Sequence, residues 1–230
     1  MSIICGKEAK MKTIGLITIG QSPRTDVTED IGAFFSEEVT VLEAGALDHI
    51  TEAELHDMRP EGNETALVSR MRDGRQVIFA EKHILRLLQQ CVTELQDKGA
   101  DAILFLCTGR FPSFEADIPL IFPYDILRAL FPVLGGKRSL TVLVPDKLQV
   151  EEAEKDWGNY AEKVQAIAVS PYGSMETLLE TLSNHEIEGD MIIMDCIGYS
   201  CEMKEAVAKL SGKPVLLPRT LAARVAIEML

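Results

Sequence analysis

No stretch of this 230-residue chain carries the roughly eighteen consecutive apolar residues that a bilayer-spanning helix needs. The longest apolar run, Ala102 to Cys107, has the length of one buried strand, so membrane insertion is excluded. A signal peptide is missing too: Ile3, Ile4 and Cys5 are followed by Lys7, Glu8, Lys10 and Lys12, with no apolar core and no small-residue cleavage site. Residues 1–10 read as a flexible lead-in, with Met11 as an alternative start. Basic residues are scarce, 23 Lys and Arg against 36 Asp and Glu, for a formal charge of -13. Nothing clusters as phosphate neutralisation requires, which excludes nucleic-acid binding. Arg70, Arg72 and Arg75, interrupted by Asp73, read as a solvated hairpin tip.

Metal-ligand patterns are also lacking. The four histidines (His49, His56, His83, His185) are scattered, and the five cysteines show no zinc-like pairing. An odd cysteine count without a secretory signal points to reduced thiols in a cytoplasmic protein. The glycines and lysine of a Walker loop and the glycines of a dinucleotide fingerprint are absent. No metal and no cofactor is therefore expected.

What is present is an alternation of apolar strands and amphipathic helices. Strands are expected at 13–19, 39–44, 102–106, 139–144, 164–169, 191–195 and 215–217. Helices are expected from Thr25, from Thr51 as N-cap, over 82–98 ending at Gly99, through Ile126 and Leu130, over 148–157, 174–182 and 202–210, and from Thr220. The Asp73-Gly74 pair between 65–71 and 75–80 marks an inserted β-hairpin. Near-continuous apolar strands separated by helices imply mainly parallel sheets covered on both faces.

A short internal repeat divides this α/β chain in two. Asp101 to Gly109 and Asp190 to Gly198 share the pattern D-x5-C-x-G at the end of a buried strand. Two pseudo-symmetric lobes follow: 11–118 together with 218–230, holding Cys107, and 119–217, holding Cys196. Ligands of parallel α/β sheets bind beyond the carboxyl ends of the strands, where both cysteines fall. A helix N-terminus following each would favour its thiolate and bring the thiol near neutral pH. Cys91 belongs to a buried helical stripe, and Cys5 and Cys201 carry no comparable argument.

The loop after the first strand, Gly20 to Thr25, offers Gln21, Ser22 and the forked guanidinium of Arg24 for a carboxylate or other anion, against an alternative of ordinary capping. Thr108 and Gly109 after the first cysteine, and Gly198 and Tyr199 after the second, are candidate contacts to a small polar ligand. Asp195 should point to the opposite side of its strand from Cys196.

Ile14 to Gly20 with Gln21-Ser-Pro-Arg24, the Cys107-Thr-Gly109 strand end and Met194-Asp-Cys196-Ile-Gly198-Tyr199 resemble the AroM family from about Lys12 onward. More distantly the chain resembles the aspartate/glutamate/hydantoin racemase superfamily. That resemblance implies two α/β lobes and cofactor-independent proton transfer at a carbon beside a carboxylate. Cys107 and Cys196 would be the two catalytic groups, and Gln21, Ser22, Arg24, Thr108, Gly109, Gly198 and Tyr199 would surround the substrate. The implied partner is a small carboxylate or anionic ligand, and exposed sheet edges make a homodimer reasonable. The alternative reading is a non-catalytic small-molecule-binding or regulatory protein. The residues after each cysteine differ from those of amino-acid racemases, which leaves substrate and reaction type open.

Overall fold

The computed structural model of the chain describes residues 11–36, 38–134 and 139–230. The expected lead-in, 1–10, lies outside them. The chain runs β1 (Lys12–Thr18), α1 (Thr25–Ile31), β2 (Val39–Gly45), α2 (Glu52–Asp57), β3 (Ala66–Arg70), β4 (Gln76–Ala80), α3 (Leu85–Asp97), β5 (Ala102–Leu106), β6 (Leu120–Ile121) and α4 (Pro123–Leu130). It continues through β7 (Ser139–Val144), α5 (Val150–Trp157), β8 (Lys163–Ala168), α6 (Met175–Ser183), β9 (Met191–Met194), α7 (Cys201–Ser211), β10 (Val215–Leu216) and α8 (Pro218–Glu228).

Two four-stranded sheets form, ordered β2-β1-β5-β6 and β8-β7-β9-β10, and every pairing in them is parallel. Strand for strand the two orders are the same. The repeat explains how deep the likeness goes. Asp101 exchanges backbone and side-chain bonds with Thr13 at the start of β1: its N–H donates to Thr13 O (2.7 Å) and its Oδ2 accepts from Thr13 N (2.8 Å). Asp190 does the same with Ser139 at the start of β7, at 2.9 and 3.1 Å. One aspartate thus sets the register of the central strand pair in each lobe.

Period-two alternation sends successive strand residues to opposite faces. In β5, Ile103 and Phe105 face α3 and the hairpin, and Cys107 continues that parity; Ala102, Leu104 and Leu106 face the other way. In β9, Ile192 and Met194 face α6 and α7, with Cys196 in step, while Met191 and Ile193 face α4 and α5.

Each lobe is finished by a helix that follows the other lobe's edge strand. From α4, Leu127 packs with Leu140, Val142 and Val144 of β7 and with Trp157, as does Phe131 just beyond it. Ala222, Ala223 and Ala226 of α8 pack with Leu104 of β5 and Val27 of α1. Proline opens both helices, where its missing N–H costs nothing. The alanines let α8 approach the sheet closely.

Several expectations shift. The stretch before Pro123 was expected to be plain connection, yet Leu120–Ile121 pairs with β5. A two-residue strand between Pro119 and Pro123 gives no periodic signal. The first sheet therefore reaches past the 118/119 boundary. The helix expected over 82–98 starts with a tight turn at Glu81–His83 and becomes α-helical only from Leu85, and the last helix begins at Pro218, before Thr220. The hairpin tip is not simply solvated: Arg72 Nε donates to Ser22 O (2.8 Å), its Nη2 pairs with Asp48 (3.1 Å), and Arg70 pairs with Asp26 (3.6 Å). Only Arg75, held by Asp73 and Glu52, fits the solvated reading. The capping box at Thr51 and Glu54 is present, and Gly99 ends α3 with φ +88°.

Ala223 is fully buried where α8 packs on the first sheet, so Ala223→Leu overpacks that contact; a loss of about 1–3 kcal/mol is expected in urea unfolding.

Candidate active site

Between the two sheets lies a cavity of about 350 Å³, reached by the carboxyl ends of β1, β5, β7 and β9. Residues 65–69 of the hairpin form one wall, and α4 and α5 supply Tyr124, Arg128 and Asp156 to another. Both repeat cysteines line it, with Cys107 8% and Cys196 6% exposed.

The thiols have matched environments. Gly109 N–H donates to Cys107 Sγ (3.3 Å), and Gly198 N–H donates to Cys196 Sγ (3.4 Å). This is what the glycine of the repeat contributes. A side chain at Gly198 would meet Pro171 and the Tyr172 hydroxyl at 2.8 Å, so the bond to Cys196 forms only because the backbone comes that close. Thr108 Oγ1 donates to Asp195 O (3.1 Å), tying the two cysteine-bearing strand ends together.

Burial pushes the Cys107 thiol up to about 12, against the opposing pull of the Gly109 N–H. It also raises Cys196, where the Gly198 N–H and Arg24 oppose it. This corrects the expectation of thiols near neutral pH. The expected helix dipoles are not there: β5 leads through a long loop to β6, and α7 begins only at Cys201, capped by Ser200.

Of the other expected contacts, Arg24, Thr108 and Gly109 line the cavity, whereas Gln21, Ser22, Gly198 and Tyr199 do not. Gln21 bonds Leu47 O and Arg72 N, and Ser22 gives both its N–H and its hydroxyl to Asp48 (2.7 and 2.6 Å). Tyr199 is buried with its hydroxyl on Val169 O (2.6 Å). Arg24, 2% exposed, is no free carboxylate fork. Its Nε and Nη2 bind both oxygens of Asp26 (2.8 Å each), and Nη1 reaches Thr18 Oγ1 (3.2 Å). Burial alone would pull this guanidinium down, but Asp26 overrides it and holds the charge. Arg24 acts as a fixed buried cation behind Cys196.

The sequence reading missed a polar cluster on the opposite wall. Arg128 lies between the rings of Tyr124 (3.8 Å) and Trp157 (4.0 Å). Its Nε donates to Asp156 (3.0 Å), and Nη2 reaches Asp195 Oδ2 (3.4 Å). Asp195 also accepts from Trp157 Nε1 (2.7 Å), on the face away from Cys196, as strand alternation requires. A lone arginine in the last turn of a short helix reads as ordinary helix-end chemistry, so only the packing of α4 against the second lobe reveals its role.

The sequence matches the family model described as "AroM protein" over residues 14–230. The chain belongs to the AroM family. No curated protein matches it. Among solved structures this AroM-family chain is similar to aspartate racemase from Picrophilus torridus, at 14% identity and TM-score 0.61, covering 94% of this chain and 93% of that one. The maleate isomerase Iso from Pseudomonas putida S16 gives 15% identity and TM-score 0.62, covering 94% and 92%. Allantoin racemase from Pseudomonas fluorescens gives 15% and 0.59, covering 94% and 90%. The AroM chain therefore shares its fold with these racemases and this isomerase.

Burial favours the protonated thiols, so their stabilising contribution is complete below the ordinary thiol pKa of about 8.5 and is lost as pH rises toward the raised values. Iodoacetamide should modify Cys107 and Cys196 slowly at neutral pH, with a rate still climbing above about pH 8.5 instead of levelling, and the Tm should fall over the same alkaline range. Mass spectrometry of the alkylated peptides and a thermal melt series check both.

Proposed function

We propose that this protein is a cofactor-independent racemase, epimerase or isomerase of a small carboxylate, working by proton transfer between Cys107 and Cys196 in the cavity between the lobes. The observation that carries this reading is the pair of buried thiols on matched strand ends of one cavity, each bonded by the N–H two residues on. In the forward step one cysteine, as thiolate, takes the proton from the carbon beside the carboxylate. The electron pair moves into the carboxylate as a planar enediolate. The other cysteine, as thiol, returns a proton to the opposite face and becomes the thiolate, so the two exchange roles and no net proton is gained or lost. Two groups of the same chemical type suit this task because their basicities match.

Burial raises the Cys196 thiol, with Arg24 and Arg219 favouring its thiolate and Asp195 opposing it; Cys196 is assigned as the first base. The raised thiol pKa makes the resting thiolate scarce but strongly basic. Thr108 and Gly109 place the chain beside the substrate carboxylate, and the Arg24 charge stabilises the enediolate through space. Gly198 serves through its N–H to Cys196, and Gln21 and Ser22 hold the loop that carries Arg24. We assign this chemistry to the cytoplasm, a reducing compartment in which unpaired thiols persist.

Incubation in D2O with a panel of small chiral and unsaturated carboxylic acids should put deuterium at the carbon next to the carboxylate of at least one. Cys107→Ser and Cys196→Ser should each slow that exchange by about 10²–10⁴-fold, as loss of a general acid or base does. Absence of exchange across the panel, or exchange that survives both substitutions, refutes the proposal. The burial that keeps both thiols protonated at rest favours a second reading, a binding protein that retains the cleft. In that case thermal stabilisation by the ligand survives Cys196→Ser and no exchange accompanies it.

A further inference from the structure

Four buried polar side-chain atoms among the described residues lack a hydrogen-bond partner: Ser69 Oγ, Arg128 Nη1, Gln149 Oε1 and Asp195 Oδ1. All four residues line the same cavity. Arg128 is 7% exposed, the Asp195 side chain 9% and Ser69 1%, so these are not solvated surface groups. Buried polar atoms are almost always paired, and four exceptions around one cavity mark where a ligand's polar groups belong.

Their types define the ligand. Arg128 Nη1 can only donate and Asp195 Oδ1, as a carboxylate, can only accept. They belong to side chains already joined through Nη2 and Oδ2 at 3.4 Å, so the free donor and the free acceptor sit on adjacent groups. Gln149 Oε1 adds an acceptor and Ser69 Oγ serves either way. A carboxylate in this position would satisfy Arg128 but stand against Asp195, with Asp156 on the same arginine as a second negative charge. The guanidinium is already outnumbered by the carboxylates it touches. Arg110 and Lys155, both exposed and without an ion pair among the described residues, are the cations left for a carboxylate, and they lie at the rim.

From this arrangement we infer that the substrate is a monocarboxylate whose other end is a neutral amide-type head, a carboxamide or ureido group, held by Arg128 and Asp195. The planar head gives its carbonyl oxygen to Arg128 Nη1 and an N–H to Asp195 Oδ1, while the carboxylate end points toward the rim. Dicarboxylates are disfavoured by the same pair of aspartates. The inference takes the carboxylate end from the proposed proton transfer, but the head group is argued from the cluster alone.

Isothermal titration of the full chain with succinamate and with succinate tests it, since the two differ only in the head. Succinamate should bind at least about tenfold more tightly, a difference of about 1.4 kcal/mol. In Asp195→Asn, which removes the repelling charge, the ratio should shrink toward one. Equal or tighter binding of succinate by the unaltered protein overturns the inference, as does no binding of either at millimolar concentration, or an unchanged ratio in Asp195→Asn. If that variant does not fold, Gln149→Ala supplies the second measurement, with a severalfold loss for succinamate and none for succinate; equal losses count against the inference. Binding is read without turnover, so a preference for succinamate with no deuterium exchange across the acid panel would sink the proton-transfer reading and leave this one intact.

Discussion

The exchange of α4 and α8 between the lobes is the constraint on which the site depends. Neither sheet can cover both apolar faces with helices from its own segment. Lobe one leaves Leu104 and its neighbours for the alanine face of α8, and lobe two leaves Leu140, Val142 and Val144 for Leu127 and Phe131. Burial of these faces, at about 25 cal/mol per Å² of apolar surface, fixes the two sheets against each other. With the sheets fixed, the carboxyl ends of β5 and β9 open on one cavity, and Thr108 can reach Asp195 O across it.

Pseudo-symmetry governs what the two lobes share, and its breaking governs what the cavity can select. Shared are the aspartate that sets the central register, the strand-end cysteine and the glycine N–H on its sulfur. Not shared are the hairpin β3–β4, whose Ser69 faces the cavity, and the Arg128 cluster from α4 and α5. Matched parts suit a chemistry with two equivalent groups. Unmatched parts give the ligand a direction.

The two buried arginines show how neighbours decide the role of a charge. Arg24 is bound at both prongs by Asp26, so its donors are spent and its positive charge remains as a field at Cys196. Arg128 keeps one nitrogen free although two carboxylates touch it. The first arginine is electrostatic support, and the second is a recognition group with its charge already compensated. Sequence position suggested the reverse, because Arg24 follows the first strand and Arg128 is one residue in a helix.

Local chemistry was enough to make the α/β class, the hairpin at Asp73-Gly74, the N-cap at Thr51 and the two strand-end cysteines legible in the sequence. Each rests on interactions within a few residues or on a periodicity of two or 3.6. The parity of Cys107 with Ile103 and Phe105, and of Asp195 against Cys196, follows from the same rule. What only the tertiary structure decided is whatever depends on contacts between distant segments. The pairing of β6, the diversion of Ser22 to Asp48 and of Arg24 to Asp26, the burial that raises both thiols, and the arrival of Arg128 beside Asp195, 67 positions away, belong there. A sequence displays which groups exist and how each local segment is inclined to fold. Desolvation and partner choice are set by what the rest of the chain brings to the same place, and here they separate the cysteines' position from their reactivity.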